Sequence, residues 1–183
     1  MKTLKINKED AVLVLIDFQE RLMPAMADSD VLKENSIKLV KGSRILGLPI
    51  LVTQQYTKGL GPTISEIHDA IGQYEPIEKT SFSAMGEEAF EKELKGLHKK
   101  TIILAGIEAH VCVLQTAIDL TESGYDVFLV SDCISSRSSD DKKYAQRRMT
   151  GSGILETTCE SVLFELLKDA KHECFKEISK LVK

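Results

Sequence analysis

Three observations predict an α/β fold, in which a single domain spanning residues 1–183 has three layers, α/β/α, around a six-stranded, mainly parallel, doubly wound sheet. Six short apolar runs alternate with longer segments of helical periodicity, the pattern of parallel strands joined by crossover helices. The runs 11–16 and 101–105 are continuously apolar, as strands covered on both faces must be. No internal repeat or low-complexity linker interrupts the alternation.

The first strand is read as Ala11–Asp17. An aspartate at the C-terminal end of a central parallel strand stands where open α/β sheets bind ligands, and is equally at home as a turn or N-cap residue. After Pro24 the spacing predicts a helix near Asp30–Gly47, with Leu32, Leu39 and Leu46 interleaved by the small Ser36 and Ser43. Pro49–Thr53 is the second strand, running into the Gly- and Pro-punctuated loop Gln54–Pro62, which is suited to shaping a pocket. A short helix over Ile64–Ile71 precedes a third strand near Pro76–Thr80 that carries Lys79. Lysine at a strand end is more often a solvated residue than a catalytic one, and only its company changes that reading. Glu87–Gly96 reads as a short helix.

Thr101–Ala105 is the fourth strand, with a tight turn at Gly106. From Val111 a helix is expected up to Gly124, with Val111, Leu114 and Ile118 on one face and Val113, Ala117 and Leu120 on another. Asp126–Asp132 is the fifth strand. In the polar stretch Cys133–Asp141, Ser135, Ser136 and Arg137 either orient a substrate carboxylate or form a turn, the commoner outcome. A helix over Lys142–Gly151, a short strand Ile154–Glu156 and a helix through Leu167 follow, with Thr157 and Glu160 at capping-box spacing. Phe175, Ile178 and Leu181 mark one face of a closing segment that docks on the domain or on a neighbouring subunit.

Composition narrows the function classes. Hydrophobic residues make up 43%, charged residues 28%, and the formal net charge is −4, which argues against nucleic acid as a default partner. Cys112, Cys133, Cys159 and Cys174 lie far apart without a CxxC pair, so neither a zinc site nor a disulfide framework is expected, and a reducing cytoplasmic setting fits. No run is long enough to span a bilayer, and the N-terminus lacks a secretory apolar core. The four histidines show no ligand spacing, and Gly151-Ser152-Gly153 lacks the third glycine of a dinucleotide turn. No metal and no cofactor are therefore expected.

In a parallel sheet Asp17, Lys79 and Cys112 all fall at C-terminal strand ends, and hence on one edge. Cys112 is expected in a first helical turn, where unpaired N–H groups and the helix dipole favour a thiolate and bind a developing oxyanion. The competing reading is a free cysteine packed as a small hydrophobe. An acid, an amine and a thiol form a workable nucleophilic unit: the carboxylate takes the thiol proton while the ammonium stabilises negative charge.

The segments Ile16-Asp17-Phe18-Gln19, Glu78-Lys79-Thr80-Ser81-Phe82-Ser83 and Gly106-Ile107-Glu108-Ala109-His110-Val111-Cys112-Val113 together resemble the isochorismatase-like cysteine hydrolase family. The likeness extends through Thr53-Gln54-Gln55-Tyr56, Gly59-Leu60-Gly61-Pro62, Asp132-Cys133 and Arg148-Met149, and looks closest to the isochorismatase domain-containing proteins. The resemblance implies Asp17 as general base, Lys79 as third member of the triad and Cys112 as nucleophile. It also implies a cis peptide at Ile107–Glu108 and an oxyanion hole from the backbone N–H groups of Glu108 and Cys112. The reaction implied is hydrolysis of a small amide or related carbonyl through a covalent thioester, in a homo-oligomer.

Two departures shape the expectation. Thr53-Gln54-Gln55-Tyr56 stands where the metal-dependent nicotinamidases of the superfamily carry an aspartate and histidines, and retention of Cys112 separates the chain from enzymes that cleave isochorismate itself. Phe18, Gln19, Gln54, Tyr56, Ser81, Phe82 and His110 are the expected wall of the substrate site. His110, two residues from Cys112 on a helix and so about 200° away, is expected to line the pocket or serve structure rather than activate the thiol. Two other classes stay open: a catalytically silent oligomeric scaffold, and a redox sensor in which Cys133 resolves an oxidised Cys112.

Overall fold

In chain order the elements are β1 (Ala11–Ile16), α1 (Ser29–Ile45), β2 (Ile50–Gln55), α2 (Thr57–Leu60), α3 (Ser65–Ile71), β3 (Ile77–Lys79), α4 (Glu88–Gly96) and β4 (Thr101–Ile107). A π-helical turn (Ala109–Val113) then leads into α5 (Leu114–Glu122), β5 (Asp126–Ser135), α6 (Ser139–Gly151), β6 (Leu155–Thr157), α7 (Cys159–Leu167) and α8 (Phe175–Val182). The computed structural model describes residues 3–183. The six strands form one sheet in the order β3-β2-β1-β4-β5-β6, and every neighbouring pair is parallel. The sheet is thus wholly rather than mainly parallel.

Side-chain alternation along the strands divides the core in two. In β1, Ala11, Leu13 and Leu15 join the cluster under α1, α3, α7 and α8, whereas Val12, Val14 and Ile16 join the cluster under α4, α5 and α6. Both faces being covered, β1 and β4 are buried at every residue, which is why their sequences carry no polar alternation. Chain order reverses between β1 and β4. That is the switch point of a doubly wound sheet, the place at which open α/β sheets bind ligands.

Gly106 fits this junction closely. It pairs with Ile16 at φ 145°, and a Cβ there would run into the Ile16 carbonyl oxygen and side chain.

Several boundaries differ from the sequence expectation. The fifth strand runs to Ser135 through an irregular register opposite β4, so Cys133 lies within a strand rather than in a polar turn. The cap of α7 is Thr158, whose hydroxyl accepts from Ser161 N; Thr157 belongs to β6, so the Thr157–Glu160 capping box is not formed. Residues 109–113 form a π-helical turn, and α5 starts only at Leu114. α6 begins at Ser139, where Ser138 caps it by accepting from Asp140 N and Asp141 N.

Candidate active site

Three strand ends deliver the expected trio to this switch point. Asp17 follows β1 at φ 55°, a left-handed conformation that Asp tolerates better than most side chains, and this bends the chain away from the sheet. Lys79 ends β3, two strands away. Its side chain crosses the end of β2 and places Nζ 2.7 Å from Asp17 Oδ2, with both side chains fully buried. Cys112 comes from the turn after β4 on the other side of the switch point, at 8% exposure.

Asp17 Oδ1 and Lys79 Nζ are held by hydrogen bonds, whereas Asp17 Oδ2 has no hydrogen-bond partner among the described residues and meets Lys79 as an ion pair. Thr53 Oγ1 donates to Asp17 Oδ1 at 2.7 Å. Lys79 Nζ donates to Gln55 Oε1 at 2.6 Å, and the Ser81 and Phe82 carbonyl oxygens stand 3.2 and 3.1 Å away. These three oxygens match the three ammonium protons and the Asp17 carboxylate supplies the counter-charge, which is what allows a lysine to be buried while charged. The loop that supplies the two carbonyls is itself held by Glu87, whose Oε1 accepts from Ser81 N, Thr80 N and Ser81 Oγ. These bonds, the Ser81 backbone first, hold the Glu87 carboxyl below the usual carboxylate range.

The thiol behaves differently from the sequence expectation. Burial first, then the negative charge of Asp17, push Cys112 up to about 12, against a smaller downward pull from Lys79. Burial and the Asp17 charge thus favour the thiol over the thiolate. The turn also reassigns its hydrogen bonds: Glu108 O accepts from Val111 N at 3.1 Å and from Val113 N at 3.2 Å. In an α-helix the donor to that oxygen is Cys112 N, so the π pattern takes the bond one residue further along the chain. The Ile107–Glu108 peptide is cis.

On the side of the switch point facing β5, Arg137 Nε lies 3.0 Å from Glu108 Oε1, and His110 Nδ1 shares a 2.9 Å hydrogen bond with Ser136 Oγ. His110 Nδ1 stands 3.8 Å from Glu108 Oε2. Ser135 Oγ instead donates to Ala27 O at 2.7 Å.

The expected substrate wall is only partly brought to this place. Phe18 is 1% exposed and belongs to the core. Gln19 is buried with its amide fully engaged: Nε2 donates to Gln55 O at 2.9 Å and to Gly61 O at 2.7 Å, while Oε1 accepts from Gln55 N at 2.7 Å. Gln54 Nε2 donates to Thr63 Oγ1 and its Oε1 accepts from Thr57 Oγ1. These three side chains build the loop, and none is free to meet a ligand. Ser81 Oγ is likewise engaged within its own loop. Tyr56 and Phe82 are more than half exposed at the ends of β2 and β3, and His110 is half-buried.

A model of the isochorismatase domain matches residues 11–161. The chain belongs to the isochorismatase family. Isochorismatase domain-containing protein 2 of Danio rerio is 42% identical over 179 residues, covering 97% of this chain and 89% of the relative. Isochorismatase domain-containing protein 2A of Mus musculus is 41% identical over 180 residues, covering 98% and 85%. Among solved structures, the MAR1 ribonuclease of Caenorhabditis elegans is 38% identical at a TM-score of 0.91, covering 97% of this chain and 92% of that one. YcaC of Pseudomonas aeruginosa, solved with hexane-2,5-diol and covalent acrylamide, is 29% identical at a TM-score of 0.93, covering 99% and 93%. YcaC of Escherichia coli, described as an octameric hydrolase of unknown specificity, is 27% identical at a TM-score of 0.93, covering 99% and 90%.

This isochorismatase-family chain shows, among its described residues, no group of three or more His, Cys, Asp or Glu side chains placed to hold a metal ion. Nor is any described helix long and apolar enough to cross a membrane. Thr53 and Gln55 were missed by the sequence reading. Their signal was strand alternation: residues two apart at the end of β2 share a face, between the strands that carry the acid and the amine.

Proposed function

We propose that this protein is a cysteine hydrolase that opens a C–N bond of a small amide through a covalent thioester. The observation that carries the reading is the buried Asp17–Lys79 pair at 2.7 Å standing against the Cys112 thiol. A thiol held protonated gains nothing from waiting as a thiolate. Attack on the carbonyl carbon has to be coupled to transfer of the Sγ proton to Asp17, which lies close enough to set that thiol's ionisation. Lys79 Nζ, 2.7 Å from the carboxylate, offsets the negative charge that passes between sulfur and Asp17. The tetrahedral oxyanion is bound by the backbone N–H groups of Glu108 and Cys112. Asp17 then returns the proton to the departing amine, leaving a thioester on Sγ. In the second half Asp17 takes a proton from water, hydroxide adds to the thioester, and the carboxylic acid leaves as sulfur regains its proton.

The covalent acrylamide on the Pseudomonas relative supports adduct chemistry on this scaffold. The octameric relative supports a homo-oligomer. Ribonuclease activity, carried by the name of the Caenorhabditis relative, fits this chain less well, since a net charge of −4 opposes the cationic contacts a phosphate backbone requires. A redox pair between Cys112 and Cys133 is disfavoured, because the sheet separates them: Cys112 lies in the cluster under α4, α5 and α6, and Cys133 in the opposite one.

The test is a panel of small amides followed by rapid quenching and intact-mass and peptide analysis. The expected result is an acyl adduct on Cys112, absent in Cys112→Ala. Turnover surviving in Cys112→Ala, or an adduct placed elsewhere, refutes the reading.

A further inference from the structure

β2 carries no member of the trio, yet it lies between the strands that do. Its last turn of alternation places Thr53 and Gln55 on one face, where Thr53 Oγ1 donates to Asp17 Oδ1 at 2.7 Å and Gln55 Oε1 accepts from Lys79 Nζ at 2.6 Å. We propose that Thr53 and Gln55 are positioning residues for the base and the ammonium, so that β2 sets the distance and charge balance of the Asp17–Lys79 pair.

Three features support this. Thr53 is fully buried, so its hydroxyl bond to the carboxylate is not exchanged with water. That bond occupies one Asp17 oxygen and turns the other to the ammonium, which restricts the carboxylate to one orientation. Gln55 is itself fixed from both sides. Its Nε2 donates to Thr80 O at 2.9 Å, and its backbone N–H and C=O both pair with the Gln19 amide. One residue therefore ties the turn after β1 to the loop after β3. The charged and titratable groups facing Asp17 are Lys79 from β3 and Cys112 from the turn after β4. Glu87 acts on Lys79 from the start of α4, and Glu108 and His110 stand on the turn of Cys112.

A hydroxyl donating to a carboxylate favours its charged form, so its removal makes the carboxylate hold a proton to higher pH. In Thr53→Val the acidic limb of Cys112 alkylation by iodoacetamide, followed by peptide mass analysis, is expected to move up by about one pH unit. Thr53→Ser, which keeps the hydroxyl, is expected to restore the wild-type limb. In Gln55→Leu, kcat for whichever amide is turned over is expected to fall about tenfold with KM unchanged, as for an interaction that acts on the reacting groups rather than on binding.

An unshifted limb in Thr53→Val overturns the proposal. So does a shift that Thr53→Ser reproduces in full, since serine keeps the hydroxyl and the effect then comes from altered packing at position 53. This inference rests on the hydrolase reading only for the kinetic arm. Alkylation needs no substrate, so a wild-type protein that turns over no amide, with the shift still seen in Thr53→Val, refutes the hydrolase reading and leaves the positioning role standing.

Discussion

Replacing Lys79 with methionine tests whether the buried pair is a device of the site or a prop of the fold. Methionine keeps most of the length and apolar body of the side chain but removes the ammonium. Asp17, with no exposed surface, then loses its counter-ion at 2.7 Å and keeps only the Thr53 hydroxyl, while Gln55 Oε1 and the Ser81 and Phe82 carbonyls lose their shared donor. Leaving a buried charge unpaired costs about 3–5 kcal/mol, a large share of the roughly 5–15 kcal/mol that holds a typical domain together. For a chain of this size each kcal/mol moves Tm by about 2–4 °C, so Lys79→Met is expected to melt about 6–20 °C lower. The variant Asp17→Asn/Lys79→Met removes both charges. It is expected to be more stable than the sum of the two single losses predicts, by about 1–3 kcal/mol, because neither charge is left alone. Equilibrium urea unfolding of the four proteins of this cycle measures the coupling. A loss below about 1 kcal/mol for Lys79→Met, or strict additivity in the double variant, refutes the account of a desolvated, mutually dependent pair.

Other perturbations read other parts of the molecule. Cys112→Ser is expected to lose most amide turnover while melting within about 3 °C of wild type, since the oxygen fits the same space; full activity in the serine variant contradicts a sulfur nucleophile. Between pH 9.0 and about 12 the unfolded chain releases a Cys112 proton that the folded chain keeps, so stability declines as pH rises through that window, and Cys112→Ala is expected to remove part of the decline in alkaline urea titrations. Gly106→Ala drives a methyl into the Ile16 backbone at φ 145° and is expected to cost more than about 3 kcal/mol or to abolish soluble expression. Dialysis against a chelator is expected to leave turnover and Cys112 alkylation unchanged; activity lost and restored by zinc contradicts the metal-independent mechanism.

What the sequence made legible, and what it hid, follows from how far each signal reaches along the chain. Strand identity was local: the continuous apolar runs of β1 and β4 announced burial on both faces, and Asp17 after β1 pointed to the edge where open α/β sheets bind ligands. That Asp17, Lys79 and Cys112 share this edge followed from strand direction alone. The roles of Gln19 and Gln54 did not follow, since a glutamine near a strand end has the same composition whether its amide faces a ligand or closes a loop. Only the fold shows that Gln19 spends every polar atom on the Gln55 and Gly61 backbone. The state of the Cys112 thiol was hidden for a different reason. A helix start favours the anion and burial opposes it, and their balance depends on how tightly the surrounding elements close over the sulfur.

The partition of the cysteines by the sheet has a chemical consequence. Cys133 and Cys159 are buried, and Cys174 is packed, on the side opposite Cys112, and all four are free. A peroxide that converts Cys112 to its sulfenic acid therefore meets no internal thiol to condense with. Repair depends on a small thiol entering from solution, and in its absence further oxidant carries the sulfur to the sulfinic and sulfonic states, from which no exchange reaction returns it.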